Sequence, residues 1–302
     1  WHQNSGAPHA EINALMSATQ SVVGATAYVT LEPCAHQGKT GPCCEALIKA
    51  VVKRVVVACE DPFEKTAGKG IAAMRSAGIE VSVGLFEFEA RTLNRGFFSR
   101  IERQKPFVCL KVAASIDGAT AMNNGESQWI TGEAARADVQ KLRASSGAIM
   151  TGIGTVKSDN PALTVRDHNL VQQQPLRVLL DSQLQVSPQA KIFQENGYAR
   201  VFCINSERRA MLEGPNVSIV QTKDDNNHVA LHEVLYDLAQ EGINDLLVEA
   251  GPVLSGKMLS LGLIDELVIY QAPHIMGSEV KPMFQTSAWK SLADRQQLAI
   301  ED

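Results

Sequence analysis

His9-Ala10-Glu11, followed by Thr30-Leu31-Glu32-Pro33-Cys34 and by Pro42-Cys43, is the stretch that decides how this chain is read. One imidazole and two thiolates give a Zn²⁺ ion three protein ligands and leave its fourth position open to water. Water in that position ionises near neutral pH. Glu11 stands two residues beyond His9 and suits a general acid/base that carries the water proton to a leaving group. Cys43 falls at a predicted helix start, where the dipole favours the thiolate. Two alternatives stay open. His36 could close the site as a fourth ligand, which would make it structural, and Cys44 could replace Cys43 as the second thiolate. Eight residues, Ala35 to Pro42, separate the two cysteines. A loop at the mouth of a site selects substrates. Its His36, Lys39 and Thr40 offer hydrogen bonds and a positive charge to a phosphorylated substrate, or are a solvated polar loop.

H-x-E followed by P-C and a second Cys is the signature of zinc-dependent nucleobase deaminases, with the spacing here longer than the usual C-x-x-C. Around this stretch the chain alternates helix and strand. Helices are predicted over 9–19, from Pro42 through Ile48, over 71–76 and over 87–103. Strands are predicted over 27–31, 54–58 and 81–83. That order gives a mostly parallel sheet covered by helices. Arg103-Gln104-Lys105-Pro106 is polar, ends in Pro and marks the domain boundary, which gives domains over 1–103 and 106–302. The second domain is also α/β. Its strands are predicted at 107–113, 148–151, 177–180, 201–204, 217–220, 246–249 and 266–270, and its helices at 131–144, with Thr131 as N-cap, and 228–241.

The chain has 302 residues, 45% of them hydrophobic and 20% charged, with a formal net charge of −5. That composition describes an ordinary globular protein. Without a basic stripe there is no sign of a nucleic-acid groove. No apolar run reaches the roughly 20 residues that span a bilayer, so no membrane partner is expected. Beyond the two cysteines assigned to metal, Cys44, Cys59, Cys109 and Cys203 read as buried free thiols, which fits a reducing cytoplasm. The chain starts at Trp1 without Met, almost on the metal motif. A preceding segment is therefore expected to be missing from the sequence, and the end at Asp302 also reads as cut.

Residues 30–36, with Gly38, Thr40 and Pro42-Cys43, strongly resemble the bifunctional deaminase–reductases of riboflavin biosynthesis. Trp1-His2, Gly6-Ala7-Pro8-His9-Ala10-Glu11, Asp61-Pro62 and Gly68-Lys69-Gly70-Ile71 extend the match. In the second half so do Lys111-Val112-Ala113-Ala114-Ser115-Ile116-Asp117-Gly118, Ser127-Gln128-Trp129-Ile130-Thr131-Gly132, Leu142-Arg143-Ala144, Gly154-Thr155-Val156, Asp159-Asn160-Pro161, Leu163-Thr164-Val165-Arg166 and Val248-Glu249-Ala250-Gly251-Pro252. Gly41 stands where the family generally has a first proline, and Gly147 where it often has Asp. The family also has a helix and a β-hairpin, with an Asn-Pro substrate loop, ahead of the position of Trp1.

The resemblance implies a cytidine-deaminase-like three-layer α/β/α domain followed by a dihydrofolate-reductase-like α/β domain. It implies a phosphoribosylated pyrimidine substrate, zinc and NADPH as cofactors, and a homo-oligomer. It places Ala113, Trp129, Thr155, Asp159 and the turn Gly251, Pro252, Val253, Leu254, Ser255, Gly256 and Lys257 against NADPH. Ser127, Arg143, Leu163, Arg166, Glu249, His36, Lys39 and Lys69 would face substrate.

From the residues alone the cofactor signal is weaker. There is no G-x-G-x-x-G. Two turns rich in small residues, at 151–155 and 251–256, end predicted strands, and helix starts of that kind bind pyrophosphate. Arg143 and Arg166 carry guanidinium forks suited to a ribose phosphate, or make surface pairs. Trp129 stacks on a ring or lies in the core. Asp117 and Glu249 are candidates for the proton donor of the reduction. Two rival readings are a nucleic-acid deaminase with an accessory domain and a binding or reductase-only protein that has lost deamination. The acidic balance opposes the first. The complete set His9, Glu11, Cys34 and Cys43 opposes the second, and the missing start favours it.

Overall fold

The structure is a computed structural model, and it describes residues 6–37, 41–167, 169–171 and 173–300. Two compact units divide the chain, Trp1–Arg103 and Gln104–Asp302. No helix among the described residues is long and apolar enough to cross a membrane.

In the first unit the order is α1 (Ala10–Ser17), β1 (Thr26–Val29), α2 (Cys43–Lys49), β2 (Arg54–Val57), α3 (Lys69–Ser76), β3 (Glu80–Val83), α4 (Glu87–Leu93) and α5 (Arg95–Arg103). The strands form a parallel sheet in the order β1-β2-β3. The apolar run Val55-Val56-Val57 suits the middle strand, which is covered on both faces. Val55 and Val57 pack with Cys44 and Leu47 of α2 and Ile71 and Met74 of α3. A smaller cluster joins Ala58 and Cys59 to Ala90 and Phe98.

The single helix expected over 87–103 is two helices. The chain breaks at Asn94 (φ −108°), whose side-chain amide donates to the Ala90 carbonyl at 2.9 Å and competes with the helical pattern. Arg91 bridges the break, pairing with Glu102 at 2.7 Å and lying 4.0 Å over the Phe98 ring.

The second unit runs β4 (Phe107–Ser115), β5 (Ala119–Met122), α6 (Glu133–Ala144), β6 (Ala148–Gly152), α7 (Ile153–Asp159), β7 (Leu176–Leu180), α8 (Lys191–Gln194), β8 (Ala199–Cys203), α9 (Arg209–Leu212) and β9 (Val217–Gln221). It continues through β10 (Asp224–Asp225), β11 (His228–Val229), α10 (Leu231–Gln240), β12 (Asp245–Val248), α11 (Pro252–Ser260), β13 (Glu266–Ala272) and β14 (Val280–Pro282). Seven strands form one sheet in the order β13-β4-β12-β6-β7-β8-β9, and every neighbouring pair is parallel.

Side chains alternate across this sheet and build two cores. Leu110, Met150, Val178 and Val248 pack with Val234, Leu238 and Met258 on one face. Cys109, Ile149, Leu179 and Leu247 pack with Val156, Leu163 and Leu184 on the other. Because all the strands run the same way, their C-terminal ends share one edge, where ligands of open α/β sheets bind.

Three details differ from the expectations. The helix expected from residue 228 begins at Leu231, because His228-Val229 pair with Asp224-Asp225 across a hairpin turn. Asn226 and Asn227 both take positive φ there (55° and 64°), as a two-residue hairpin turn requires. The N-cap of α6 is Gly132, and the carbonyl of Thr131 accepts instead from Arg136 Nη1 at 2.8 Å. The antiparallel pair β5–β14 joins segments too distant in sequence for periodicity to reveal.

Candidate active sites

His9 is the N-cap of α1, Cys34 follows β1, and Cys43 is the first residue of α2 after Pro42. The His9 carbonyl accepts from the Asn13 N–H at 3.0 Å, which seats the imidazole at the helix start. Its Nδ1 lies 3.6 Å from Cys34 Sγ and 3.3 Å from Cys43 Sγ. Ligand bonds of 2.0–2.3 Å at a tetrahedral angle place N and S about 3.6 Å apart around zinc. All three ligand atoms lie within 4.8 Å of one another, so the donor set fits the ion. Among the described residues this is the one His/Cys/Asp/Glu group able to hold a metal.

The thiols differ in charge. A hydrogen bond from the Cys43 thiol holds Cys34 down to about 5, with the Cys43 N–H and the His9 charge adding to it against burial. Bonded to that sulfur, buried and beside the Glu11 carboxylate, Cys43 is pushed up. Glu11 is therefore close to the second thiol, in the first turn of α1. A bound divalent ion deprotonates its thiol ligands outright.

The open alternatives resolve geometrically. His36 Nδ1 sits 3.3 Å from Thr66 Oγ1 and its ring meets Phe63 edge-on, outside the ligand group. Cys44 is buried in the α2/α3 core, where burial raises its thiol. Lys69 is exposed at the start of α3, and its ammonium donates to the Glu64 carbonyl. Lys39 lies outside the described residues.

Sequence reasoning missed Glu32. Its carboxylate is 3% exposed and accepts from the N–H groups of Gly68 (2.9 Å), Ile71 (3.1 Å) and Asp61 (3.3 Å). It thereby ties the start of α3 to the Pro33-Cys34 corner. Gly70 must lack a Cβ, because one would lie 2.1 Å from the Pro33 carbonyl oxygen. The only sequence signal was a carboxylate immediately before Pro-Cys. Glu32→Ala strands these donors and is expected to cost about 3 kcal/mol. Urea titration should then release the metal at a lower concentration than in the native chain. An unchanged midpoint would remove Glu32 from this role.

In the second unit Arg143 of α6 and Glu249, just after β12, form a two-point pair with Nε···Oε1 at 2.6 Å and Nη2···Oε2 at 3.1 Å. Arg143 Nη1 donates to the Thr164 carbonyl at 2.9 Å. Lys111 Nζ lies 3.6 Å from Glu249 Oε2. Burial would raise the Glu249 carboxyl, but the charges of Arg143 and Lys111 outweigh it and hold the group below its usual value.

Arg143 is thus turned to Glu249. Arg166 is exposed, anchored by its N–H to Gln140 Oε1 at 2.8 Å, and its side chain has no hydrogen-bond partner among the described residues. Leu163 is buried with φ +53°. Ser127 is half-buried. Trp129 is 67% exposed rather than core, with the Arg136 guanidinium 4.7 Å over one face. Asp117 accepts from the Ser115 hydroxyl and the Gly277 and Met276 N–H groups, which hold it at about 2. Both carboxylates considered as proton donors are therefore kept ionised.

The two small-residue turns follow β6 and β12, which are sheet neighbours. A Cβ on Gly251 would lie 3.8 Å from Thr155 Oγ1, and one on Gly152 would lie 3.5 Å from Leu254. Gly251 caps α11 and Pro252 opens it, with the first helical bond from Ser255 N–H to the Gly251 carbonyl. The N–H groups of Val253 and Leu254 remain without helical partners, as an anion site requires. Ser255 is buried, Gly256 packs against the Gln285 carbonyl, and Lys257 pairs with Asp225 at 3.3 Å. Ala113 is half-buried in β4, and Asp159 is exposed at the end of α7. This donor set fits a dinucleotide pyrophosphate.

Residues 2–59 match the family model for the cytidine and deoxycytidylate deaminase zinc-binding region, and residues 106–301 match that for the RibD C-terminal domain. The riboflavin biosynthesis protein RibD of Escherichia coli K12 is 43% identical over 100% of this chain and 85% of its own length. The RibD of Haemophilus influenzae is 43% identical over 97% and 81%. The structure of Acinetobacter baumannii RibD, form 1, superposes with TM-score 0.91 at 44% identity, covering 100% of this chain and 83% of that one. A Thermotoga maritima structure titled diaminohydroxyphosphoribosylaminopyrimidine deaminase/5-amino-6-(5-phosphoribosylamino)uracil reductase gives TM-score 0.84 at 30% identity, covering 98% and 82%. Matched along its whole length and in both halves, the chain belongs to the RibD family, the bifunctional deaminase–reductases of riboflavin biosynthesis, which use zinc in one half and NADPH in the other.

Proposed function

We propose that the first unit hydrolytically deaminates a phosphoribosylated diaminopyrimidinone and that the second reduces the ribosyl group of the product to ribityl. The observation that carries this is the His9, Cys34 and Cys43 group, with Glu11 in the same helix as His9. Zinc supplies Lewis acidity that ionises water near neutral pH. Glu11 takes the proton from the attacking water and delivers it to the departing amine, which leaves as ammonia. The loop between Cys34 and Cys43, with His36 and Lys39, and Lys69 beyond it, orient the substrate.

NADPH supplies a hydride to the second step. The turns at 152–155 and 251–254 hold its pyrophosphate, with Ala113, Trp129 and Asp159 around it. Glu249 and Arg143 face the sugar beside Ser127 and Leu163. All six cysteines are free, which supports a reducing, cytoplasmic setting. Among the described residues edge strand β13 pairs only with β4, and it exposes Ile269, which supports a homo-oligomer. The net charge of −5 supports a small-molecule substrate over a nucleic acid.

Arg166 reads the phosphate in this account. A charge-assisted contact is worth about 1.5–3 kcal/mol, on the order of tenfold to a hundredfold in affinity. Arg166→Ala should weaken the phosphorylated substrate by that factor and leave NADPH affinity unchanged. Arg166→Lys should recover part of it, since an ammonium makes no planar two-point contact. Titration with phosphorylated and dephosphorylated substrate is the test, and equal weakening of both would refute the role.

A further inference from the structure

Asp61-Pro62 and the residues after them fold into a tight turn. Asp61 Oδ1 accepts from the Phe63 N–H at 2.8 Å, and the Thr66 N–H donates to the Phe63 carbonyl at 2.7 Å. The Thr66 carbonyl accepts from the Lys69 N–H at 2.6 Å, so the backbone of Thr66 is held on both sides. Thr66 and Asp61 are both buried. The Thr66 hydroxyl bonds to the Asp61 carboxyl and lies 3.3 Å from His36 Nδ1. The Phe63 ring meets the same imidazole edge-on, with 5.8 Å between centroids. Neither the three metal ligands nor Glu11 accounts for a buried hydroxyl at this place.

We infer that Thr66 is a positioning residue for His36, fixing its ring with hydrogen on Nδ1 so that Nε2 accepts a hydrogen bond from an N–H or O–H group of the substrate. This deepens the reading of the first unit as the deaminase and rests on it. Counting hydrogens gives the tautomer. Burial raises the Asp61 carboxyl, but the bonds from the Phe63 N–H and the Thr66 hydroxyl favour its ionised form, which can only accept. A hydroxyl has one hydrogen to give, and Thr66 gives it to Asp61. Toward His36 the same oxygen therefore accepts, and Nδ1 donates. In a neutral imidazole the other nitrogen then carries a lone pair. Nε2 lies across the ring from Thr66 and has no hydrogen-bond partner among the described residues. An ionised phosphate oxygen offers it no hydrogen, so His36 reads the pyrimidine or ribose part of the substrate.

Thr66→Val keeps the shape and removes the hydroxyl, and Thr66→Ser restores it. The ring is read by NMR on isotope-labelled histidine in the zinc-loaded chain, with the His36 signals assigned by their loss in His36→Gln. The native chain and Thr66→Ser should carry hydrogen on Nδ1, and Thr66→Val should show a mixture of both tautomers. In steady-state deamination Thr66→Val should raise KM on the order of tenfold, the loss of one hydrogen bond. Its kcat and zinc content should stay native, and Thr66→Ser should restore KM. A merely structural role predicts lost zinc or a lowered kcat at native KM in Thr66→Val, and either result overturns the proposal. So does a native ring with its hydrogen on Nε2. If the native ring carries hydrogen on Nδ1 but the chain releases no ammonia, the reading of the first unit has failed rather than the Thr66–His36 bond, and the substrate contact falls with it.

Discussion

Glu11→Gln should lower ammonia release on the order of 10²–10⁴-fold, the usual contribution of a positioned acid/base, with zinc content unchanged. Gln keeps the size of Glu11 and its place in the first turn of α1 but cannot accept the water proton. Glu11 is not one of the three ligand atoms grouped within 4.8 Å, so the ion should stay. Reduction of pre-deaminated substrate by NADPH should also be unaffected, because that chemistry belongs to the second unit. Parallel ammonia and metal assays check this. Zinc lost together with activity would make Glu11 a ligand, and full retention of ammonia release would remove it from the chemistry.

The largest structural effect is expected at Arg143. Arg143→Met leaves the Glu249 carboxylate mostly buried with Lys111 as its one remaining cation, and breaking a buried pair in this way costs about 3–5 kcal/mol. For a unit of this size that lowers the melting temperature by roughly 6–20 °C. The pair also sets an acid limit. Because the Glu249 carboxyl is held below its usual value, the stability it contributes is present at neutral pH and is lost as pH falls through that lowered value. Glu249→Gln should be less stable than the native chain at neutral pH, and the gap should narrow on acidification. Thermal melts from neutral pH downward would show this. A gap independent of pH would mean that the carboxylate charge contributes nothing to folding.

What was legible in the sequence follows from how narrowly chemistry restricts residue type. Few side chains ligate zinc, so His9, Cys34 and Cys43 stand out although three separate elements bring them together. Strands such as Val55–Val57 and Leu246–Val248 announce themselves as apolar runs. Helix ends are harder to read. Asn94 and the Asn226-Asn227 turn act through local backbone geometry, which a 3.6-residue period does not register. Glu32 was hidden because its partners are backbone N–H groups of 61–71, which carry no residue identity. Lys111, Arg143 and Glu249 meet only because β4 and β12 are sheet neighbours with α6 over them, and no local pattern encodes that adjacency.

Elemental analysis of the native chain and of its Cys34→Ser and Cys43→Ser variants tests the account most directly. Three protein ligands around one ion predict about one zinc per native chain. They also predict loss of most of that zinc in each variant, with NADPH binding by the second unit intact. A native chain without zinc, or a Cys43→Ser variant that keeps it, would contradict the assignment of the metal centre and the deamination built on it.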